Sequence, residues 1–142
     1  MSITAANASM YLTSSVSFPA PQKVEQWATD EAFAATAVKL AEIYMGVDGK
    51  KSSGYTPYLV PLKLSLQADS DSMSIFDTLI GTQAALRVDE VIDITLTIPA
   101  IAMQFVFTNG TMETVQILPD AGKVLKKRDF ELKFESFAAQ PI

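Results

Sequence analysis

Hydrophobic and polar residues alternate with period two along several stretches of the chain, which places one set of side chains on each face of a strand. In Leu62-Lys63-Leu64-Ser65-Leu66-Gln67 and in Ile92-Asp93-Ile94-Thr95-Leu96-Thr97-Ile98 the aliphatics occupy one face and small polar or charged groups the other. These are the two clearest strands. Phe130-Glu131-Leu132-Lys133-Phe134-Glu135 repeats the alternation, and Met103-Gln104-Phe105-Val106-Phe107 is a more apolar version that runs into Asn109-Gly110. Both residues of an Asn-Gly pair accept positive φ, so the pair predicts a hairpin over Met103–Leu118. Met10–Phe18, Val24–Thr29 and Leu40–Met45 are further strand candidates, whereas Phe33–Val38 is too rich in alanine to assign.

One stretch changes period. After Asp69-Ser70-Asp71-Ser72, the residues Ile75, Phe76, Leu79 and Ile80 recur at helical spacing, and Ser74 and Asp77 stand three apart in the manner of a capping box. Asp69 and Asp71 would lie near the positive end of the helix dipole, which stabilises a carboxylate by ~0.3–1 kcal/mol. Gly81 predicts an end near Thr82. Between Gly46 and Pro57 three glycines and the adjacent Lys50 and Lys51 lie in a polar setting, which predicts a long protruding loop of the kind that commonly binds. The expected fold is mainly β: an antiparallel sandwich or barrel with one short flanking α-helix and that loop, in a single domain over 1–142, with 1–20 as an extended N-terminal arm.

Composition narrows the chemistry. The 142 residues contain neither His nor Cys, which excludes Ser-His-Asp and Cys-His nucleophiles, thiolate or imidazole zinc sites and disulfides. Gly49-Lys50-Lys51-Ser52 lacks the Gly-Lys-Ser/Thr order of a phosphate loop, and Asp69-x-Asp71 fails as a calcium loop with Ser74 where the glycine belongs. Asp69/Asp71 and Asp89/Glu90/Asp93 are the remaining carboxylate groups, read here as caps and turns. No catalytic residue, metal or cofactor is expected. No run approaches the ~20 apolar residues of a membrane span, and Met1–Met10 has neither the charge nor the apolar stretch of a secretory peptide, so no membrane insertion is expected.

The net charge of −5 is unevenly spread. Asp69–Asp93 holds six acids and one base, Arg87, while Lys123, Lys126, Lys127, Arg128 and Lys133 cluster further on. Such blocks suit head-to-tail contacts between identical subunits, with Asp69 and Asp71 against Lys126, Lys127 and Arg128. The polar strand faces, Lys63, Ser65 and Gln67 on one and Asp93, Thr95 and Thr97 on the other, suit bulk solvent or the lining of a pore.

The order of the motifs carries a resemblance. Gly46-Val-Asp-Gly49 and its polar loop, Leu62-Lys-Leu-Ser-Leu66, Asp69-Ser-Asp-Ser72 leading into Ser74-Ile-Phe-Asp-Thr-Leu79, Ile94-Thr-Leu-Thr-Ile-Pro-Ala100, Phe107-Thr-Asn-Gly110 and Lys123-Val-Leu-Lys-Lys-Arg-Asp-Phe130 together resemble tail tube proteins of contractile-tailed bacteriophages. The resemblance spans about Gly46 to Phe134. It implies a structural virion protein of the tail, assembled in the host cytoplasm, whose homo-hexameric rings stack into a hollow tube that conducts the genome. It also implies tail sheath, tape-measure, baseplate and tail-terminator proteins as partners, with genomic DNA in transit and not specifically bound.

Carried onto this chain, Asp48, Gly49, Lys50, Lys51, Ser52, Ser53 and Tyr55 become the inter-ring contact, and the two polar strand faces become candidates for the lumen. Six copies at −5 give a ring of roughly −30, a field that disfavours adhesion of phosphates. Related alternatives are a tail terminator, a baseplate tube component or the tube protein of type VI secretion. A monomeric carbohydrate-binding β-sandwich is the alternative of a different class, with Trp27, Tyr55 and Tyr58 as its aromatic platform.

Overall fold

The computed structural model describes residues 7–25, 27, 33–87 and 89–142. In chain order the elements are β1 (Ser9–Ser14), β2 (Gln22–Val24), β3 (Phe33–Ala35), β4 (Ala41–Met45), β5 (Lys51–Tyr55), β6 (Val60–Leu66), α1 (Met73–Leu86), β7 (Ile92–Ile98), a 3₁₀ turn, β8 (Met103–Val115) and β9 (Arg128–Pro141). Among the described residues, β4 and β5 pair only with each other, and the other seven strands form one sheet in the order β2-β1-β7-β8-β9-β6-β3. Every pairing is antiparallel.

The period-two stretches bury the face that their aliphatics define. Leu62, Leu64 and Leu66 of β6, Ile92, Ile94 and Leu96 of β7, and Phe130, Leu132 and Phe134 of β9 are all in the core. Each side chain so buried contributes about 1.5–3 kcal/mol of transfer free energy. Helix α1 covers this face, with Phe76 stacked on Phe130 at 4.5 Å between ring centroids.

The barrel is not closed, since β2 and β3 remain as sheet ends. Trp27, just past β2, nevertheless bridges to Leu66 of β6, so the two ends of the sheet are brought together. Of the expected Val24–Thr29 strand, 26, 28 and 29 lie outside the described residues. Residues 1–6 of the expected arm also lie outside them, but Ser9–Ser14 are no arm. Met10 and Leu12 are fully buried, because β1 is hydrogen-bonded between β2 and β7.

Asn109-Gly110 does not turn the chain. Both residues lie inside the single strand β8, which pairs with β7 on one side and β9 on the other. The register passes from Ile94↔Phe107 to Ile92↔Gly110, so β8 carries one extra residue against β7, a bulge with Asn109 at φ 53°. The same tolerance of positive φ that suits a hairpin turn is used here to bulge a continuous strand. The Asn109 N–H donates to Asp93 Oδ1 at 2.9 Å, and a Cβ on Gly110 would stand 2.3 Å from the Phe134 ring.

The helix is longer than its pattern predicts and is not capped as expected. It begins after Ser72 and continues through Gly81 to Leu86, ending at Arg87 in the left-handed region at φ 55°. Ser74 Oγ donates to the Asp71 carbonyl and Asp77 reaches Arg128, so the two form no capping box. Ser72 Oγ accepts instead from the Glu25 N–H at 2.7 Å, which ties the helix start to the segment after β2.

Candidate assembly surfaces

The expected loop over Gly46–Pro57 contains one strand, Lys51–Tyr55. Gly46–Lys50 makes a tight turn, with the Gly46 N–H donating to the Lys50 carbonyl and Gly49 at φ 82°, and the chain then returns as β5. Asp48, Gly49 and Lys50 are therefore at the tip of a hairpin, and Lys51, Ser52, Ser53 and Tyr55 lie along its second strand, all exposed. The register Ala41↔Tyr55, Ile43↔Ser53, Met45↔Lys51 puts Ile43, Met45 and Tyr55 on one face. Ile43 is 63% exposed, Met45 70% and Tyr55 77%. A two-stranded ribbon has no second layer with which to bury such a face, so it presents apolar surface. Ile43, Tyr44 and Met45 were legible as a strand, but their alternation gave no sign that the strand stands apart from the main sheet.

The two polar strand faces differ. On β7, Thr97 pairs with Ser9 of β1 and Gln104 of β8, and Gln104 pairs in turn with Gln140 of β9. Thr95 likewise lies in a row with Tyr11, Val106 and Ala138. Across β1, β7, β8 and β9 these two rows carry no charge; on β2 the second continues to Lys23, opposite Tyr11 and 3.6 Å from Glu25, and the next row is led by Asp93 opposite Thr13. On β6, by contrast, Lys63 is exposed opposite Glu131, and Gln67 Nε2 donates to the Trp27 carbonyl. Ser65 corrects its reading as a lining residue. It is fully buried and its hydroxyl donates to Asp129 Oδ1 at 2.5 Å, at the end of β6 past which Trp27 runs.

The charge blocks also require correction. Arg128 is buried, donating to the Gln116 carbonyl at 2.9 Å and to Asp77 Oδ1 at 3.1 Å, with its guanidinium 5.1 Å from the Phe130 ring centroid. It therefore joins β9 to α1 within one chain and is not offered to a neighbour. Arg128 touches Met73 and Asp77, so this member of the basic block meets the acidic block inside the chain. Lys127 sits 3.6 Å from Asp129, Lys126 is exposed, and Asp69 and Asp71 flank the turn that enters α1.

Glu90, which the sequence places in a turn, is fully buried. Its carboxylate accepts from the Ser17 N–H at 2.7 Å, from Ser17 Oγ at 3.1 Å and from Ser14 Oγ, while Ser17 Oγ also meets Thr82 Oγ1 of α1. This is a structural clamp between the end of β1, the entry to β7 and the helix.

A cleft of about 550 Å³ opens beside the middle of β8 and β9, with Leu59 and Met112 as apolar lining and Asp89, Glu113, Glu135 and Lys133 as charged lining. The hydrogen bond and charge of Glu113, 3.0 Å from Lys133, hold the ammonium above the usual lysine range. The aromatic residues offer no flat platform. Tyr55 and Tyr58 meet edge to face at 6.4 Å, and Trp27 meets Phe33 in the same way at 5.8 Å while packing against the core.

This open antiparallel sheet with one covering helix is similar in fold to chains of contractile injection systems. In an extracellular contractile injection system, a chain of the sheath/tube terminator superposes with a TM-score of 0.65, 12% identity and coverage of 99% of this chain and 97% of that one. A chain of the sheath-tube complex gives 0.61, 12%, 94% and 88%, and a chain of the anti-feeding prophage baseplate gives 0.55, 9%, 99% and 98%. No curated protein matches. Residues 1–138 match the family described as "Tail fiber protein gp32", and the chain belongs to that family. It is thus a tail-associated structural protein with a tube fold.

Proposed function

We propose that the chain is a tail tube subunit, without catalysis, which forms hexameric rings stacked into a conduit for the genome. The fold is that of tube assemblies, although the family description names a fibre. The observation that carries the reading is the pair of rows Ser9-Thr97-Gln104-Gln140 and Tyr11-Thr95-Val106-Ala138, side by side across β1, β7, β8 and β9 with no charge on those four strands, while Lys23, in line with the second row on β2, is paired with Glu25. Each phosphate neutralised by Lys or Arg releases counterions and adds an adhesive contact, so a wall past which DNA slides is best built without cations. This favours the β7 face over the β6 face, where Lys63 and Lys133 stand.

In this reading Asp93, Thr95 and Thr97 face the channel, while the hairpin of β4 and β5 reaches a neighbouring ring. Sheath, tape-measure, baseplate and terminator proteins are the expected partners, and assembly takes place in the host cytoplasm. The test is to replace Asp93 and Thr97 by Lys and to follow tube formation by electron microscopy and genome delivery by infectivity. Tubes should still form while delivery falls steeply. Unchanged infectivity would remove this face from the channel.

A further inference from the structure

Two features of the chain lack a counterpart among the described residues. The first is the outer half of β9. Its pairing with β6 stops at Val60↔Phe134, yet the strand continues to Pro141, held by β8 on one side alone. From Glu135 onward every residue is exposed, and Phe137-Ala138-Ala139 has no charged or proline residue to blunt the edge. Such an edge is a template for another strand. The second is β4, which pairs with β5 alone and carries Ile43, Tyr44 and Met45 exposed.

Charge fixes how these would meet. The cleft at the inner end of the free edge is lined by Asp89, Glu113 and Glu135 against the single cation Lys133. The turn that follows β4 carries Lys50 and leads into Lys51, with Asp48 its one acid. Placing that turn at the cleft makes β4 run opposite to β9, the antiparallel sense of every pairing in the fold. The five residues of β4 then lie along Ser136–Gln140, with Met45 opposite Ser136 and Ile43 opposite Ala138.

We propose that β4 of a second copy of this chain adds to the outer edge of β9, with its Lys50 and Lys51 at the acidic cleft. Backbone hydrogen bonds supply the affinity, and the charges at the turn set the end point of the register. The contact is heterologous: a surface of one copy meets a different surface of the next, so it propagates around a ring or along a stack. The inference rests on the reading of the chain as a self-assembling subunit and names the surfaces that join.

The chain has no cysteine, so each introduced thiol is unique. Ile43→Cys and Ala138→Cys are made as separate proteins, mixed and oxidised mildly, with Ser74→Cys on the exposed side of α1 as the control partner for Ile43→Cys. A covalent heterodimer of the two test proteins should form in excess over the control. Adding Lys51→Glu to the first protein should lower the yield roughly tenfold, and Glu135→Lys in the second should restore it. Circular dichroism shows that each variant folds, and Phe137→Cys replaces Ala138→Cys if that variant does not. No heterodimer above the control overturns the pairing. Rings seen by microscopy in that same sample would leave the tube reading standing, and their absence would remove both. A heterodimer whose yield ignores Lys51→Glu overturns the role of the cleft.

Discussion

Gly110 shows how a single residue is chosen by its neighbours. The Phe134 ring occupies the place of a Cβ, 2.3 Å away, so Gly110→Ala forces the ring or the strand to move. The expected cost is about 1–3 kcal/mol, read as a lower urea midpoint at unchanged slope; a variant as stable as the parent would show that the ring swings away freely. Glu90 makes the complementary case. Its replacement by Ala strands the Ser17 N–H and the hydroxyls that meet its carboxylate, and should cost about 1–3 kcal/mol.

Lys133 carries a prediction in pH. Its folded pKa is raised by the hydrogen bond and charge of Glu113, so this pairing stabilises the fold fully below the unfolded lysine value. The contribution fades as pH rises through the higher folded value. Titration of the Lys133 side chain by NMR should show a fall toward the ordinary value in Glu113→Gln. The Lys133 side chain is half-buried but its pairing with the exposed Glu113 is open to solvent, so little change in global stability is expected to accompany it. Neither the Gly110 contact nor the Glu90 burial was legible in the sequence, because each depends on a strand distant along the chain.

At the scale of elements, strict alternation over a long run was a faithful guide, and short or mixed signals were not. Ile92–Ile98 has the bounds that its alternation predicts, since a sheet with one buried face enforces period two. Asn109-Gly110 misleads because a turn and a bulge draw on the same backbone freedom, and only the partner strand decides between them. The predicted helix end at Gly81 fails for a different reason. A glycine costs about 1 kcal/mol in a helix, which the packing of the buried Met73, Ile75, Phe76 and Leu79 outweighs. Of these, Phe76 is held between helix and sheet by its stack on Phe130. Phe76→Ala should therefore cost about 3–5 kcal/mol in denaturant unfolding, and a loss below 1 kcal/mol would mean that α1 is not needed to close the core.

For the whole molecule, the alternation marked out the polar faces, but not which strands lie beside them. Thr95 and Thr97 become informative only when the register sets Tyr11, Val106, Gln104 and Gln140 in the same rows. The charge blocks fail in the opposite direction: Arg128 and Asp77, widely separated in sequence, meet in an internal contact between β9 and α1. The hairpin was anticipated as a polar loop, while its apolar face, Ile43, Met45 and Tyr55, emerged from strand pairing. Replacing Ile43 and Met45 by Lys should leave the unfolding midpoint within about 0.5 kcal/mol of the parent, because neither side chain is in the core, while sharply reducing self-association in sedimentation. Equal association of variant and parent would release the hairpin from any role in assembly.

The central claim is that identical copies of this chain join into a hollow cylinder whose inner wall is the face of β7 that carries Thr95 and Thr97. Electron cryomicroscopy of the purified protein over a range of concentrations addresses it most directly. The account predicts rings or tubes with Thr95 and Thr97 turned toward the axis; a persistent monomer, or a cylinder lined by Lys63 and Lys133, would contradict it.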